Sequence, residues 1–428
     1  MLSRLAELPL LVVLVGVTAC LCLVPAMHAA ATDQNALGRA FLYSGLILFI
    51  LSVMLGIATA AFSPKDVARS QLASLAAAFA LLPFAMALPM LEAVPDTTAA
   101  NAWFEMIASF TTTGATAFAA DRLSDTIHLW RACIGWFGGF LSLMAAYGIL
   151  APMNLGGVEV ATGRVPGRGS GRVLRMAGSL EPAERLTRTA FRILPIYAAL
   201  TALLWFGLIL AGETATTALI HAMGTLSTSG ISGQSAPGAV AGFPAEALIL
   251  TFFLFALSHR AFQNLGLARS NPLQSDPELR LAAVIIGTVT AILILRHAVG
   301  VETGAAPAAP VQALWGALFT SASFLSTTGY VSQAWHAASA WSGLSSPGLI
   351  FLGLAIVGGS TATAAGGVKL LRVYVLLRHG ERELERIIHP NSVGGGGNEA
   401  RRLRREGALL AWVFFVLFAA AIAVVLDR

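Results

Sequence analysis

SFTTTGATAF, residues 109–118, lies between two apolar runs and carries four threonines, a serine and a glycine, with no charged or metal-ligating side chain. Two similar stretches follow, TLSTSGISG at 225–233 and FLSTTGYVS at 324–332. Bare hydroxyls on a flexible backbone are out of place against lipid, where every backbone polar group needs an internal partner. The surroundings of these three stretches decide what kind of molecule this is.

The 428-residue chain is 56% hydrophobic and 11% charged, with a mean hydropathy of +0.75. Soluble domains carry about 25% charged residues, so the composition is that of a multi-pass membrane protein. With about 20 apolar residues needed per crossing, spans fall near 8–30, 40–62, 70–91, 127–151, 190–212, 244–262, 281–300, 346–378 and 407–426. The first run, with its basic start and small residues around 26–31, also fits a signal peptide. The three cysteines, Cys20, Cys22 and Cys133, all lie in apolar runs and read as small buried side chains rather than a disulfide framework.

Basic residues set the orientation. Arg164, Arg168, Arg172, Arg175, Arg185, Arg188 and Arg192 crowd one connection, and Arg378, Arg382, Arg386, Arg401, Arg402 and Arg404 another. Smaller groups are Lys65/Arg69 and Arg260/Arg269/Arg280, whereas 213–243 and 301–345 hold no Lys or Arg. Basic connections stay cytoplasmic, which puts the N-terminus and these groups inside and segments 92–126, 213–243 and 301–345 outside. Arginines on such a scaffold do not indicate nucleic-acid binding.

Each outer connection contains a short apolar piece that runs into the Thr/Ser–Gly stretch: AANAWFEMIASFTTTG, TTALIHAMGTLSTSG and VQALWGALFTSASFLSTTG. Pieces of about a dozen residues are too short to cross and suit re-entrant half-helices. Non-helical backbone at that depth survives where it lines a water-filled cavity, so the three stretches are expected to surround a pore. Carbonyl and hydroxyl oxygens can replace the water shell of a monovalent cation and still let it leave. The half-helix C-termini favour positive charge, and glycine permits positive φ. Gly114, Gly230 and Gly329 recur 116 and 99 positions apart, the mark of parallel repeats about a membrane-normal axis.

At these residues the chain resembles the Trk/Ktr/HKT superfamily of potassium transporters, most closely its bacterial TrkH-type branch. FEMIASFTTTGAT at 104–116 matches that family's first pore loop, and STTGY at 326–330 its third. WRACIGWFGG at 130–139 is similar to the stretch on the helix after the first loop, and DPELR at 276–280 fits the start of the third repeat. GGSTATAAGGVKLLRVYVLLRHGERELERIIHPNSV at 358–393 resembles the segment that breaks the third repeat's second helix. The two spans before residue 65 also suit the TrkH-type arrangement.

The resemblance implies an all-α polytopic fold of parallel helix–pore-loop–helix repeats around a pseudo-fourfold pore. Its parts would be an N-terminal helix pair at 1–65 and pore repeats at 66–160, 161–275 and 276–393, the last with a broken second helix. A linker and the first helix of an incomplete fourth repeat would occupy 394–428. It further implies potassium uptake through a filter made by Thr112, Thr113 and Gly114, Thr228, Ser229 and Gly230, and Thr327, Thr328 and Gly329. Glycine at 114, where sodium-preferring members carry serine, implies potassium as the preferred ion. An intramembrane gating loop would include Gly358, Gly359, Ser360, Thr361, Gly366, Gly367 and Lys369. A run of glycines there lowers helix stability by about 1 kcal/mol each, which suits a break but also suits a packing surface between helices. Lys369 and Arg372 would line the inner vestibule.

As partners the resemblance implies a second copy of the chain and cytoplasmic, nucleotide-binding Trk-type regulatory subunits, in a bacterial inner membrane. Channel-like and ion-coupled (symport) uptake stay open, as does the regulating nucleotide.

Two departures bear on this. ALLAWVFFVLFAAAIAVVLDR supplies a fourth repeat's first helix with no fourth loop after it, so a truncated reading frame, completion by another chain, and a non-conducting assembly partner or remnant are the alternatives. The intramembrane stretch is poorer in glycine than the family's, with Ala362, Ala364 and Ala365 stiffening it, and ALSHRAF at 256–262 lacks the expected Gly and Asn. His259 and Arg260 read as residues of the cytoplasmic boundary. Glu105 is expected to bond a loop backbone group and His221 to be structural. Glu92, Asp96, Asp121 and Asp125 suit either an outer cation-concentrating mouth or ordinary solvated charge. GGGG at 394–397 reads as a flexible linker. No Walker loop, HExxH, GxSxG or convergent catalytic pair is present, so the chain does not read as an enzyme, and no bound cofactor is expected besides the transported potassium.

Overall fold

The structure, a computed structural model, describes residues 9–60, 67–150, 182–261, 273, 276–299, 310–342, 347–388, 409 and 411–422. The arginines at 164–175, those at 401–404 and the glycine run at 394–397 lie outside the described residues. Among the described residues all regular structure is helical, and six helices are long and apolar enough to cross a bilayer: Leu10–Ala31, Asn35–Thr59, Ser70–Ala93, Asp125–Leu150, Arg185–Ala211 and Pro277–Arg296. The described residues divide into two compact units, one up to Ile149 and from 182 to Phe252, the other from Phe253 onward.

In the first unit, helices α1 (Leu10–Leu21) and α2 (Leu23–Ala31) run on almost continuously and pack against α3 (Asn35–Thr59). Ser52 Oγ donates to the Val12 carbonyl at 3.0 Å, one of the few polar ties in a contact of small and aliphatic residues. The outer side of α3 displays Leu46, Ile47, Phe49, Ile50, Met54 and Ile57, as lipid contact requires. Of the cysteines, Cys22 and Cys133 are buried, but Cys20 is exposed on the outer side of α1. The expectation of three buried thiols is corrected there: helical spacing places Cys20 and Cys22 on different faces.

Two helix–half-helix–helix sets follow. The first is α4 (Val67–Ala93), α5 (Ala99–Phe110) and α6 (Asp125–Ala145), with α6 ending in a π-turn at Ala146–Leu150. The second is α7 (Pro182–Ala211), α8 (Ala215–Leu226) and α9 (Phe243–Phe252). α5 and α8 have 12 residues each, about 18 Å of helix, against a hydrocarbon layer of about 30 Å. Their starts are set by threonines: Thr98 Oγ1 accepts from the Asn101 N–H, and Thr214 Oγ1 from the Thr217 N–H. α6 is the centre of this unit, with 67% of its apolar window buried.

The second unit opens with α10 (Leu254–Leu257) and then α11 (Pro277–Val299), α12 (Pro310–Leu325), α13 (Trp335–Ser342) and α14 (Gly348–Val357). The apolar stretch at 346–378 is not one helix. α14 ends at Val357, residues 358–369 are non-helical, and α15 (Leu370–Ile388) begins beyond them. A last helix, α16, covers Ala411–Ile422, and Arg372 of α15 stacks on Phe414 with 4.1 Å from guanidinium to ring centre.

Candidate functional site

The three hydroxyl-rich stretches adopt the same backbone. Each half-helix ends, and two residues in left-handed conformation follow, separated by one other. These pairs are Thr112 (φ 57) and Gly114 (φ 69), Thr228 (φ 56) and Gly230 (φ 63), and Thr327 (φ 59) and Gly329 (φ 83). A β-branched residue at positive φ is a genuine outlier, costing about 1–2 kcal/mol. Three occurrences at the same register mark a conformation that the surroundings impose.

The imposing contacts also repeat. The N–H groups of Thr113 and Gly114 both donate to the Ala108 carbonyl, those of Ser229 and Gly230 to Gly224, and those of Thr328 and Gly329 to Ser323. The N–H groups of Thr112, Thr228 and Thr327 turn back to Ser109, Thr225 and Phe324. Side chains add a rung to each loop: Thr111 Oγ1 to Thr113 Oγ1 at 3.0 Å, Ser227 Oγ to Ser229 Oγ at 2.9 Å, and Ser326 Oγ to Thr328 Oγ1 at 2.9 Å. All nine loop N–H groups are thus spent on the half-helices. The carbonyl oxygens of the same nine residues accept no hydrogen bond among the described residues. Carbonyls left open at the C-terminal end of a helix are groups able to ligate a cation.

The limb that leaves each loop is pinned by the residue nine positions before its glycine: Glu105, His221 and Thr320. Glu105 Oε2 accepts from the Ala117 N–H at 3.0 Å, and its other oxygen pairs with Arg131 Nε at 2.5 Å. This ion pair is buried, and His128 Nδ1 lies 3.4 Å from Arg131 Nη1. His221 Nδ1 meets Glu213 Oε2 at 2.8 Å and its Nε2 meets the Ser235 carbonyl at 3.2 Å, so the ring is a strut between two acceptors. Thr320 Oγ1 accepts from the Ser332 N–H at 3.3 Å. Thr320 was not singled out in the sequence; the fixed spacing of nine was the available signal.

WRACIGWFGG on α6 explains how the first two loops come together within their unit. Gly138 faces the end of α5 so closely that a Cβ would lie 1.9 Å from the Phe110 carbonyl oxygen. Gly135 and Gly139 face Ser229 and Ser227. The loops touch each other as well: a Cβ on Gly114 would lie 1.8 Å from the Ser229 carbonyl oxygen. Only glycine fits at either point. Trp130 and Trp136 tie α6 to its neighbours, donating to the Met86 carbonyl at 3.2 Å and to Thr201 Oγ1 at 2.9 Å.

In the second unit the third loop meets the non-helical stretch 358–369. The Gly366 N–H donates to Thr327 Oγ1 at 2.7 Å. The stretch closes on itself where the Gly359 N–H reaches the Gly366 carbonyl and the N–H groups of Val368 and Lys369 reach Ile356 and Val357. Gly358, Gly367, Ala362 (φ 54) and Lys369 (φ 86) are left-handed, so alanine at 362 does not keep the backbone in a helix. The Lys369 ammonium donates to the Ala365 carbonyl. The stretch is anchored at Ser360 and Thr361 by Glu278 of α11 and, through the Ser360 hydroxyl, by the His259 N–H at 2.8 Å. His259 is therefore a structural partner of the 358–369 stretch, a role its sequence position does not disclose.

His259, Asp276 and Glu278 bring their ligand-type atoms within 4.8 Å of one another. Their carboxylates are committed to donors, Asp276 to Ser258 Oγ at 2.5 Å and the Glu278 N–H at 3.1 Å, so the group reads as a hydrogen-bond network rather than a metal cage.

This geometry matches a known architecture. The crystal structure of the potassium transporter TrkH from Vibrio parahaemolyticus aligns with 99% of this chain and 85% of its own, at TM-score 0.76 and 23% identity. This is the TrkH fold. Relatives in sequence agree with it. The Trk system potassium uptake protein TrkH of Vibrio parahaemolyticus is 28% identical over 335 residues, 76% of this chain and 65% of that protein. TrkH of Escherichia coli K12 is 27% identical over 332 residues, with the same coverage. TrkH of Halomonas elongata is 30% identical over 305 residues, 68% of this chain and 58% of that protein. No protein-family profile matches the chain. The chain spans about 65% of the length of the Vibrio and Escherichia TrkH proteins it matches.

Proposed function

We propose that this chain is a potassium-translocating subunit of a Trk-type uptake system. The observation that carries the reading is the set of nine carbonyls that accept no hydrogen bond among the described residues, on three loops that share one hydrogen-bonding pattern, residues 112–114, 228–230 and 327–329. In the proposal these residues are the walls of one filter, where peptide oxygens replace the hydration shell of potassium. Gly114 sets the preference for potassium over sodium, because any side chain there would displace the Ser229 carbonyl.

Residues 358–369, with Gly358, Gly359, Ser360, Thr361, Gly366, Gly367 and Lys369, act as the gate. Their direct bond to Thr327 supports this, since a segment hydrogen-bonded to a filter residue is well placed to obstruct the ion path. The chain works as a homodimer with cytoplasmic nucleotide-binding Trk-type regulators in a bacterial inner membrane, with the arginine-rich segments inside.

The test is rubidium or potassium uptake in a bacterium lacking its own potassium uptake systems. Growth on limiting potassium should be restored by the chain with its regulator and lost on Gly114→Ser or Gly230→Ser. Failure to restore growth or uptake, with the protein present in the membrane, would count against the proposal.

A further inference from the structure

Glu278, in the first turn of α11, is fully buried, yet it belongs to none of the three loops. Its carboxylate is saturated. Oε1 accepts from the Thr361 N–H at 3.0 Å and from Thr361 Oγ1 at 3.1 Å. Oε2 accepts from the Ser360 hydroxyl and from His259 Nδ1 at 2.5 Å. A carboxylate offers about four acceptor positions, and here all four are filled, three of them by two consecutive residues of the 358–369 stretch. The remaining ties at that point are to neutral groups: the Ser360 N–H to the Ala256 carbonyl at 2.9 Å, and Thr363 Oγ1 to the Ser360 carbonyl at 2.7 Å.

Asp276 and His259 hold Glu278 in place. Asp276 Oδ1 accepts from the Glu278 N–H while Oδ2 takes the Ser258 hydroxyl, which fixes the start of α11 against the end of α10. His259 contributes twice, its ring to Glu278 and its N–H to Ser360 Oγ. Of the ties that hold the 358–369 stretch, the Glu278 carboxylate accepts three and carries the negative charge.

We propose that Glu278 is the latch of the intramembrane stretch: a positioning residue whose charge keeps Ser360 and Thr361 seated, and whose loss frees residues 358–369 to leave the ion path. The second half of that statement rests on reading 358–369 as the gate; the first half does not.

The test uses the full chain in inside-out membrane vesicles, with Ala364→Cys as reporter and a membrane-impermeant methanethiosulfonate as probe. The chain without the reporter gives the background from the exposed Cys20. Glu278→Gln keeps the volume but cannot accept four donors; Glu278→Asp keeps the charge but leaves a gap. A latch predicts modification about tenfold faster in Glu278→Gln, the scale of losing charge-assisted hydrogen bonds, and a rate in Glu278→Asp closer to that of the unaltered chain. A packing role predicts the reverse order. Unchanged modification in Glu278→Gln, or a larger effect of Glu278→Asp, would overturn the latch. Should Glu278→Gln fail to reach the membrane, Thr361→Val decides, with faster modification supporting the latch and an unchanged rate overturning it. Rubidium flux in the same vesicles reads the gate separately. A freed stretch without a change in flux would remove the gate reading and leave the latch standing.

Discussion

A single missing methyl group separates a tolerable position from an intolerable one in these loops. At Gly114 a side chain would meet the Ser229 carbonyl oxygen at 1.8 Å, in addition to the positive φ of 69°. At Gly329 the backbone is likewise left-handed, but nothing lies within 4 Å of the added atom. Gly329→Ala should therefore cost only the conformational term, about 1–2 kcal/mol, and leave the rubidium-to-sodium flux ratio almost unchanged. Gly114→Ser should lower that ratio strongly, because the Ser229 carbonyl at the contact of two loops has to move away. Parallel flux measurements on the two variants check the contrast. The glycines and hydroxyls of this site were legible in the sequence as a thrice-repeated string. The left-handed threonines before them were not, since nothing in the composition of Thr112, Thr228 or Thr327 marks a β-branched residue for positive φ. Glu278 was hidden for a related reason: a glutamate near the end of a span reads as boundary charge, and only folding brings it to Ser360, 82 positions away.

Helices here act through their close approaches. α6 carries glycines toward the ends of two half-helices, and Gly138 meets the Phe110 carbonyl so closely that Gly138→Ala must push α5 away. Overpacking of this kind costs about 1–3 kcal/mol, so the detergent-solubilised protein should unfold at a lower temperature and lose potassium selectivity with it. A thermal melt paired with a flux ratio measures both. The same helix holds Arg131 against Glu105, both almost fully buried. Glu105→Gln leaves the guanidinium without its counter-charge, a change worth about 3–5 kcal/mol for a buried pair. A stability loss below about 1 kcal/mol would mean that the pair is hydrated. At this scale six of the nine expected spans are helices long and apolar enough to cross, whereas among the described residues 244–262, 346–378 and 407–426 hold shorter apolar helices. Hydropathy did not locate the break between Val357 and Leu370, since alanine and valine flank it; the doubled glycines at 358–359 and 366–367 did.

At the scale of the whole molecule, the distribution of charge and the fold carry the account. The arginine-rich connections are the ground for the proposed orientation, and the TrkH fold, matched over 99% of the chain, gives the architecture. Single cysteines placed at 168 and 402 should react with an impermeant thiol reagent only from the cytoplasmic side, and one placed at 304 only from outside; the opposite pattern would reverse the orientation. The architecture was legible from three short strings because each follows a half-helix and lies between apolar helices. The pinning residues Glu105, His221 and Thr320 were only partly legible, since their side chains differ while their position does not. The central proposal is that the carbonyls of 112–114, 228–230 and 327–329 ligate a dehydrated cation. Anomalous diffraction from crystals soaked in thallium tests it most directly. The account predicts a peak within coordination distance of those carbonyls that weakens when potassium competes and is lost in Gly114→Ser. Thallium bound elsewhere in the chain, with no peak at these nine residues, would contradict it.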